Sequence, residues 1–149
     1  MNIFDYAVAE IEVSYSHRIP ARERIKIQSA RDAFDSCNQF WPSLDHVEYF
    51  YILFLNRNNQ LLGVHQVSKG GFTGTVVDIR VIFQVALKVC ATSIIAIHNH
   101  PSGNLTPSDA DHQLTQRIKD AGKFLDIQLL DHLIITSETF FSFADEGVL

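Results

Sequence analysis

Between positions 98 and 111 the sequence reads HNHPSGNLTPSDAD, a stretch rich in the residue types that bind metal ions and activate water. Side chains alternate faces along an extended segment, so His98 and His100 share one face, with Ala96 and Ile94 behind them, and both imidazoles can reach one ion. Asp111 precedes Leu114 and Ile118 by three and seven residues, spacings that share one stripe of a helix and turn the carboxylate inward. Two neutral imidazoles and one carboxylate, with a position left for water, form the ligand set of a catalytic zinc site, whereas structural sites are closed by four protein ligands. Taken singly, each residue has a plainer role: a histidine at a strand end, an aspartate favouring a helix dipole, Ser108 as a helix cap. Together they point to a metal.

A further carboxylate stands in the run VEYFYILFL, residues 47–55, where Glu48 is the only charged residue and alternates with Phe50, Ile52 and Phe54 on one strand face. A carboxylate in such a position needs a role; its plainer reading is a strand-end glutamate facing solvent.

The elements that must position these groups follow from the same patterning. Residues 47–55 and 61–67 predict a hairpin around Asn56–Asn59. Residues 78–90 predict a helix with one polar stripe, Arg80, Gln84 and Lys88. Residues 93–98 predict a short central strand ending at His98. A helix near 107–121 is expected next, with Thr106 as N-cap, Pro107 at N1, Asp109 at N3 and Gly122 as its stop. Apolar strands near 127–136 and 140–143 complete the pattern. Ahead of the hairpin, alternation over 8–14 predicts an edge strand. Five basic residues within 18–31, with Ile27, Ala30, Phe34 and Cys37 at helical spacing, predict an amphipathic helix. The order β-α-β-β-α-β-α-β-β implies an α/β (α+β) layer architecture with a mixed sheet.

At 149 residues with 46% hydrophobic and 19% charged side chains, the chain is expected to form one domain. Residues 1–44 then form an N-terminal strand and helix extension, and 45–147 the core. A net charge of −5 disfavours generic nucleic-acid binding. Cys37 and Cys90 suggest no disulfide framework and read as small core residues. The start of the chain lacks a leader pattern and no stretch reaches membrane-span length, so a cytoplasmic protein without membrane attachment is expected.

The spacing His98-x-His100, seven residues, Ser108, two residues, Asp111 resembles the motif of the JAMM (MPN-type) metalloproteases. The fuller string, with Asp131-His132 beyond it and Gly74-Thr75 and Asp78-x-Arg80 before it, resembles the RadC branch of that superfamily over about residues 45–147. The resemblance implies a single domain with a curved mixed sheet flanked by helices, in a cytidine-deaminase-like layer architecture. It implies Zn²⁺ held by His98, His100 and Asp111, with Glu48 as general base and Ser108 as hydrogen-bond donor to the developing oxyanion. The reaction implied is cleavage of a peptide, isopeptide or related amide bond by metal-activated water. A peptide or protein is then the substrate.

Asp131-His132 carries over no ligand role; structural or outer hydrogen bonding is expected there rather than a second metal. His65 and His112 read as ordinary, partly exposed histidines. Two alternatives stand beside the hydrolase. One is a DNA-repair-associated protein acting through nucleic acid or a partner, after the label the RadC family carries. Its longer members commonly begin with a helix-hairpin-helix segment, whereas residues 1–45 read as one strand and one helix without a GxG hairpin. The other is a catalytically silent metal-binding scaffold. A zinc nucleotide deaminase is disfavoured, because its signature needs a Pro-Cys-x-x-Cys and here neither cysteine follows a proline or has another cysteine three residues away.

Overall fold

Seven consecutive apolar residues, Tyr49–Leu55, form strand β1, and all seven are buried. A strand can be apolar on both faces only where both faces are covered. In the computed structural model, which describes residues 9–71 and 76–149, both are. β1 pairs antiparallel with β2 (Leu61–Lys69) on one side and with β3 (Ser93–Asn99) on the other. β3 pairs parallel with β4 (Gln128–Ile135), and β5 (Phe140–Ser142) closes the sheet antiparallel to β4. The resulting order β2-β1-β3-β4-β5 is a mixed sheet.

One face carries Phe50, Ile52, Phe54, Ile94 and Ala96, packed against α2 (Ile79–Lys88) and α3 (Asp109–Phe124). The other carries Leu53, Leu55, Ile95, Ile97 and Leu133, covered by Ile27, Ala33 and Cys37 from the segment around α1 (Ala30–Ser36). Helices on both faces of a mixed sheet make this a single α/β domain of the expected architecture. α3 is the crossover between the parallel strands β3 and β4. The end of β3 and the start of α3 therefore lie side by side at one rim of the sheet.

Four sequence expectations are corrected. Residues 9–14 form no strand, and Ile11 and Val13 are exposed; Val8 lies outside the described residues. The basic segment 18–31 is not one helix. Ile27 N–H donates to Asn59 O at 2.9 Å and Leu61 N–H to Ile25 O at 2.8 Å, so residues 25–27 run extended along the hairpin turn. The helix begins only after Ser29, whose hydroxyl accepts from Asp32 N–H at 3.1 Å. Cys37 is buried as expected, with its thiol pushed up to about 12 by burial, but Cys90 is exposed in the turn after α2, at φ +56°. Finally, α3 does not stop at Gly122 but runs through it to Phe124. Glycine is required there by a close approach: a Cβ would sit 2.2 Å from the Ile127 carbonyl oxygen, against which the chain turns into β4.

Among the described residues, no helix is long and apolar enough to cross a membrane. Gly74 and Thr75, part of the family resemblance, lie outside the described residues.

Candidate metal centre

β3 delivers His98 to the α2/α3 face of the sheet, opposite Phe50 of β1, whose ring stacks on the imidazole at 5.8 Å and 10°. His100 follows one residue beyond the strand. Its Nδ1 meets the carbonyl oxygen of Asn104 in the turn that follows, and since a carbonyl only accepts, Nδ1 carries a proton, which in the neutral imidazole leaves Nε2 bare. That bare nitrogen lies 3.0 Å from His98 Nε2.

Asp111 enters from α3, and the helix start that places it differs from expectation. The N-cap is Ser108, not Thr106, and Asp111 occupies N3 in a reciprocal capping box. Ser108 Oγ accepts from Asp111 N–H at 3.1 Å, while Asp111 Oδ2 accepts from Ser108 N–H at 2.8 Å. The carboxylate so fixed puts Oδ1 at 3.3 Å from His98 Nε2 and Oδ2 at 3.3 Å from His100 Nε2.

The two Nε2 atoms thus lie 3.0 Å apart, each 3.3 Å from a different oxygen of the Asp111 carboxylate, and one ligand atom from each residue lies within 4.8 Å of the others. A tetrahedral divalent ion with bonds of about 2.1 Å holds its ligand atoms about 3.4 Å apart, close to each of these three contacts. Electrostatics agree. Burial alone would raise the Asp111 carboxyl, but its contacts with His100 and His98 override burial and hold it well below the usual carboxylate range. The same contact with Asp111 raises His100. The cluster is built to gather positive charge, and His98, His100 and Asp111 could hold a metal ion together.

Glu48 sits one residue before β1, half-buried, at the wall of a cleft of about 310 Å³ shared with Phe50, Asp111, Leu114 and Arg117. Burial lifts its carboxyl above the ordinary glutamate range, opposed by the charges of His98 and His100 and reinforced by that of Asp111. It therefore lies within the electrostatic reach of all three ligands. Ser108 is exposed at the helix start; its oxygen accepts from Asp111 N–H, which leaves its own O–H hydrogen for a further acceptor.

Three further residues shape this centre: His132, where the sequence already points to outer hydrogen bonding, and Asn99 and Thr115, which it does not single out. Asn99, between the two histidines, points to the opposite face and is fully buried. Its Nδ2 donates to Leu44 O at 2.9 Å and Val47 O at 3.0 Å, and its Oδ1 accepts from Tyr49 N–H at 2.7 Å. It clamps the backbone on both sides of Glu48. His132 and Thr115 are the others: His132 Nε2 is 2.7 Å from His98 Nδ1, and its Nδ1 is 2.6 Å from Thr115 Oγ1. The Asp131-His132 pair divides its work. Asp131 accepts from His132 N–H at 2.7 Å, Ala144 N–H at 3.0 Å and the Ser142 hydroxyl at 2.6 Å, binding β4 to the turn after β5.

Comparison with known proteins places this geometry in context. The family model described as the RadC-like JAB domain matches residues 27–148. A UPF0758 protein of Flavobacterium johnsoniae is 50% identical over 123 residues, covering 83% of this chain and 53% of that protein. A UPF0758 protein of Porphyromonas gingivalis is 41% identical over 138 residues, covering 90% of this chain and 60% of that protein. One of Bacillus pumilus is 46% identical over 102 residues, covering 68% and 46%. The chain thus spans about half the length of the curated relatives it matches.

Proposed function

This chain belongs to the RadC-like JAB domain family, within the JAMM/MPN superfamily, and on that footing we propose that it is a zinc-dependent hydrolase of amide bonds. The observation that carries the reading is the convergence of His98 Nε2, His100 Nε2 and Asp111 on one point beside a cleft. When bound there, a zinc ion would polarise a scissile carbonyl and lower the pKa of water.

The remaining work falls to the chain's own residues. Glu48, lifted by burial, is poised to take a proton from water in the cleft and hand it to the leaving amine. Asn99 fixes the backbone on either side of Glu48, which holds its reach constant. Ser108 has one O–H to offer the oxygen on which negative charge develops, a contact whose loss costs about 10²–10³ in rate. The substrate is a peptide, isopeptide or related amide.

The three-ligand cluster by itself supports a narrower reading, a metal-binding scaffold without turnover; hydrolysis adds Glu48 and Ser108 to it. A role in DNA repair through nucleic acid finds no help in a net charge of −5. The test is Glu48→Gln, assayed for metal content and for cleavage of a panel of peptide and isopeptide substrates. The hydrolase reading expects full metal content with activity reduced about 10²–10⁴-fold. Unchanged cleavage by the variant removes Glu48 from the reaction, and no cleavage by the metal-loaded parent protein favours the scaffold.

A further inference from the structure

The contacts behind His98 form a chain whose direction can be worked out atom by atom. Thr115 Oγ1 lies 2.6 Å from the backbone carbonyl oxygen of Asp111. A carbonyl only accepts, so the single hydroxyl proton of Thr115 is committed to it. Thr115 Oγ1 also lies 2.6 Å from His132 Nδ1, and with its proton already spent it can only accept there. His132 Nδ1 must therefore carry a proton. His132 is fully buried, with its ring stacked on Phe143 at 4.8 Å and 10° and edge-on to Phe50 at 5.5 Å. In such surroundings the imidazole is neutral, so its Nε2 is bare and accepts from His98 Nδ1–H at 2.7 Å. That leaves His98 Nε2 without a proton, facing His100 and Asp111.

Resting on the metal-centre reading above, we propose that His132 and Thr115 are positioning residues that fix His98 in its metal-binding tautomer and tie it to the helix that supplies Asp111. The chain leaves His98 on β3, crosses β4 at His132, reaches α3 at Thr115 and ends on the backbone of Asp111 itself. Two ligands from different elements are thus joined behind the site as well as at its front. Ligating histidines are commonly oriented by a hydrogen bond at the other ring nitrogen, and loss of such a partner weakens metal binding by about 10–100-fold. The usual partner is a carboxylate or carbonyl. Here it is a neutral imidazole, which acts only while Thr115 holds its proton on Nδ1.

The experiment measures Zn²⁺ affinity by competition with a chromophoric chelator, and the visible spectrum of the Co²⁺ form, for four variants. His132→Phe keeps an aromatic ring between Phe50 and Phe143 but accepts nothing, and Thr115→Val keeps the shape of threonine but removes its oxygen. Both are expected to lose about 10–100-fold in affinity and to show an altered cobalt spectrum while the metal-free proteins remain folded by circular dichroism. His132→Gln, which restores an acceptor near Nε2, and Thr115→Ser are expected to recover most of the loss. Long-range ¹H–¹⁵N spectra of the metal-free parent should show His132 protonated at Nδ1. Parent-like affinity in His132→Phe or Thr115→Val, or an Nε2–H tautomer at His132, overturns the proposal while leaving the metal centre standing. Failure of the parent chain to bind Zn²⁺ or Co²⁺ instead overturns the metal centre, and this inference with it.

Discussion

Ser108 and Asp111 satisfy each other's backbone N–H groups, the hydroxyl of one accepting at 3.1 Å and the carboxylate of the other at 2.8 Å. The same carboxylate faces both histidines at 3.3 Å. One capping box therefore ends the loop, starts α3 and aims a metal ligand. The part Ser108 plays in the fold and the part proposed for it in the chemistry separate experimentally.

Ser108→Ala removes the N-cap acceptor but keeps the backbone N–H that holds Asp111 Oδ2. Metal-free stability should fall by about 1 kcal/mol, read by urea unfolding, with metal stoichiometry retained. Loss of the metal would show that the hydroxyl, rather than the backbone N–H, orients Asp111.

The His100–Asp111 pair predicts how metal-free stability depends on pH. His100 is raised in the fold, so its contribution is complete below its unfolded value near 6.5 and fades as pH climbs through the elevated folded value. Asp111 is lowered, so its contribution is present above the unfolded value near 3.8 and fades as acid is added. Buried His132 works the other way below pH 6.5, where the unfolded chain binds a proton that the folded one refuses. The clean measurement is thus a difference, metal-free parent minus His100→Gln, followed by thermal unfolding. The gap should be widest between about pH 4 and 6.5 and narrow at higher pH. A gap that widens with rising pH contradicts the assigned contacts.

Gly122→Ala tests the join between α3 and β4. Helix propensity favours alanine by up to about 1 kcal/mol, yet the new Cβ would meet a backbone oxygen at 2.2 Å, so a net loss of about 1–3 kcal/mol is expected. Metal content should be unchanged in the folded variant. Stabilisation would mean that the helix end and β4 can part without cost.

Much of the centre was legible because its signals are local. Period two put His98 and His100 on one face, and the stripe through Leu114 and Ile118 turned Asp111 inward, as found. β1 and β3 announced themselves by apolar runs, and α2 by a single polar stripe on an otherwise apolar helix. What misled was patterning without a partner surface. Residues 9–14 alternate but meet no strand, and the apolar spacing from Ile27 to Cys37 spans an extended segment and a short helix, because the hairpin turn captures the backbone at Ile25 and Ile27. Thr106 with Asp109 and Ser108 with Asp111 are equally fair capping pairs by type and spacing; in the fold it is Asp111 that reaches back, to Ser108. The partner of His132, and Asn99 altogether, were out of reach for another reason. The residues in contact lie 34 and about 50 positions apart, brought near by strand pairing that no spacing rule encodes.

The central claim is that His98, His100 and Asp111 hold one metal ion, and elemental analysis of the purified chain beside a His98→Ala, His100→Ala double variant tests it most directly. The account predicts one zinc per parent chain and none in the double variant, with both folded. Absence of metal from the parent chain after zinc reconstitution, or equal metal in both proteins, would contradict it.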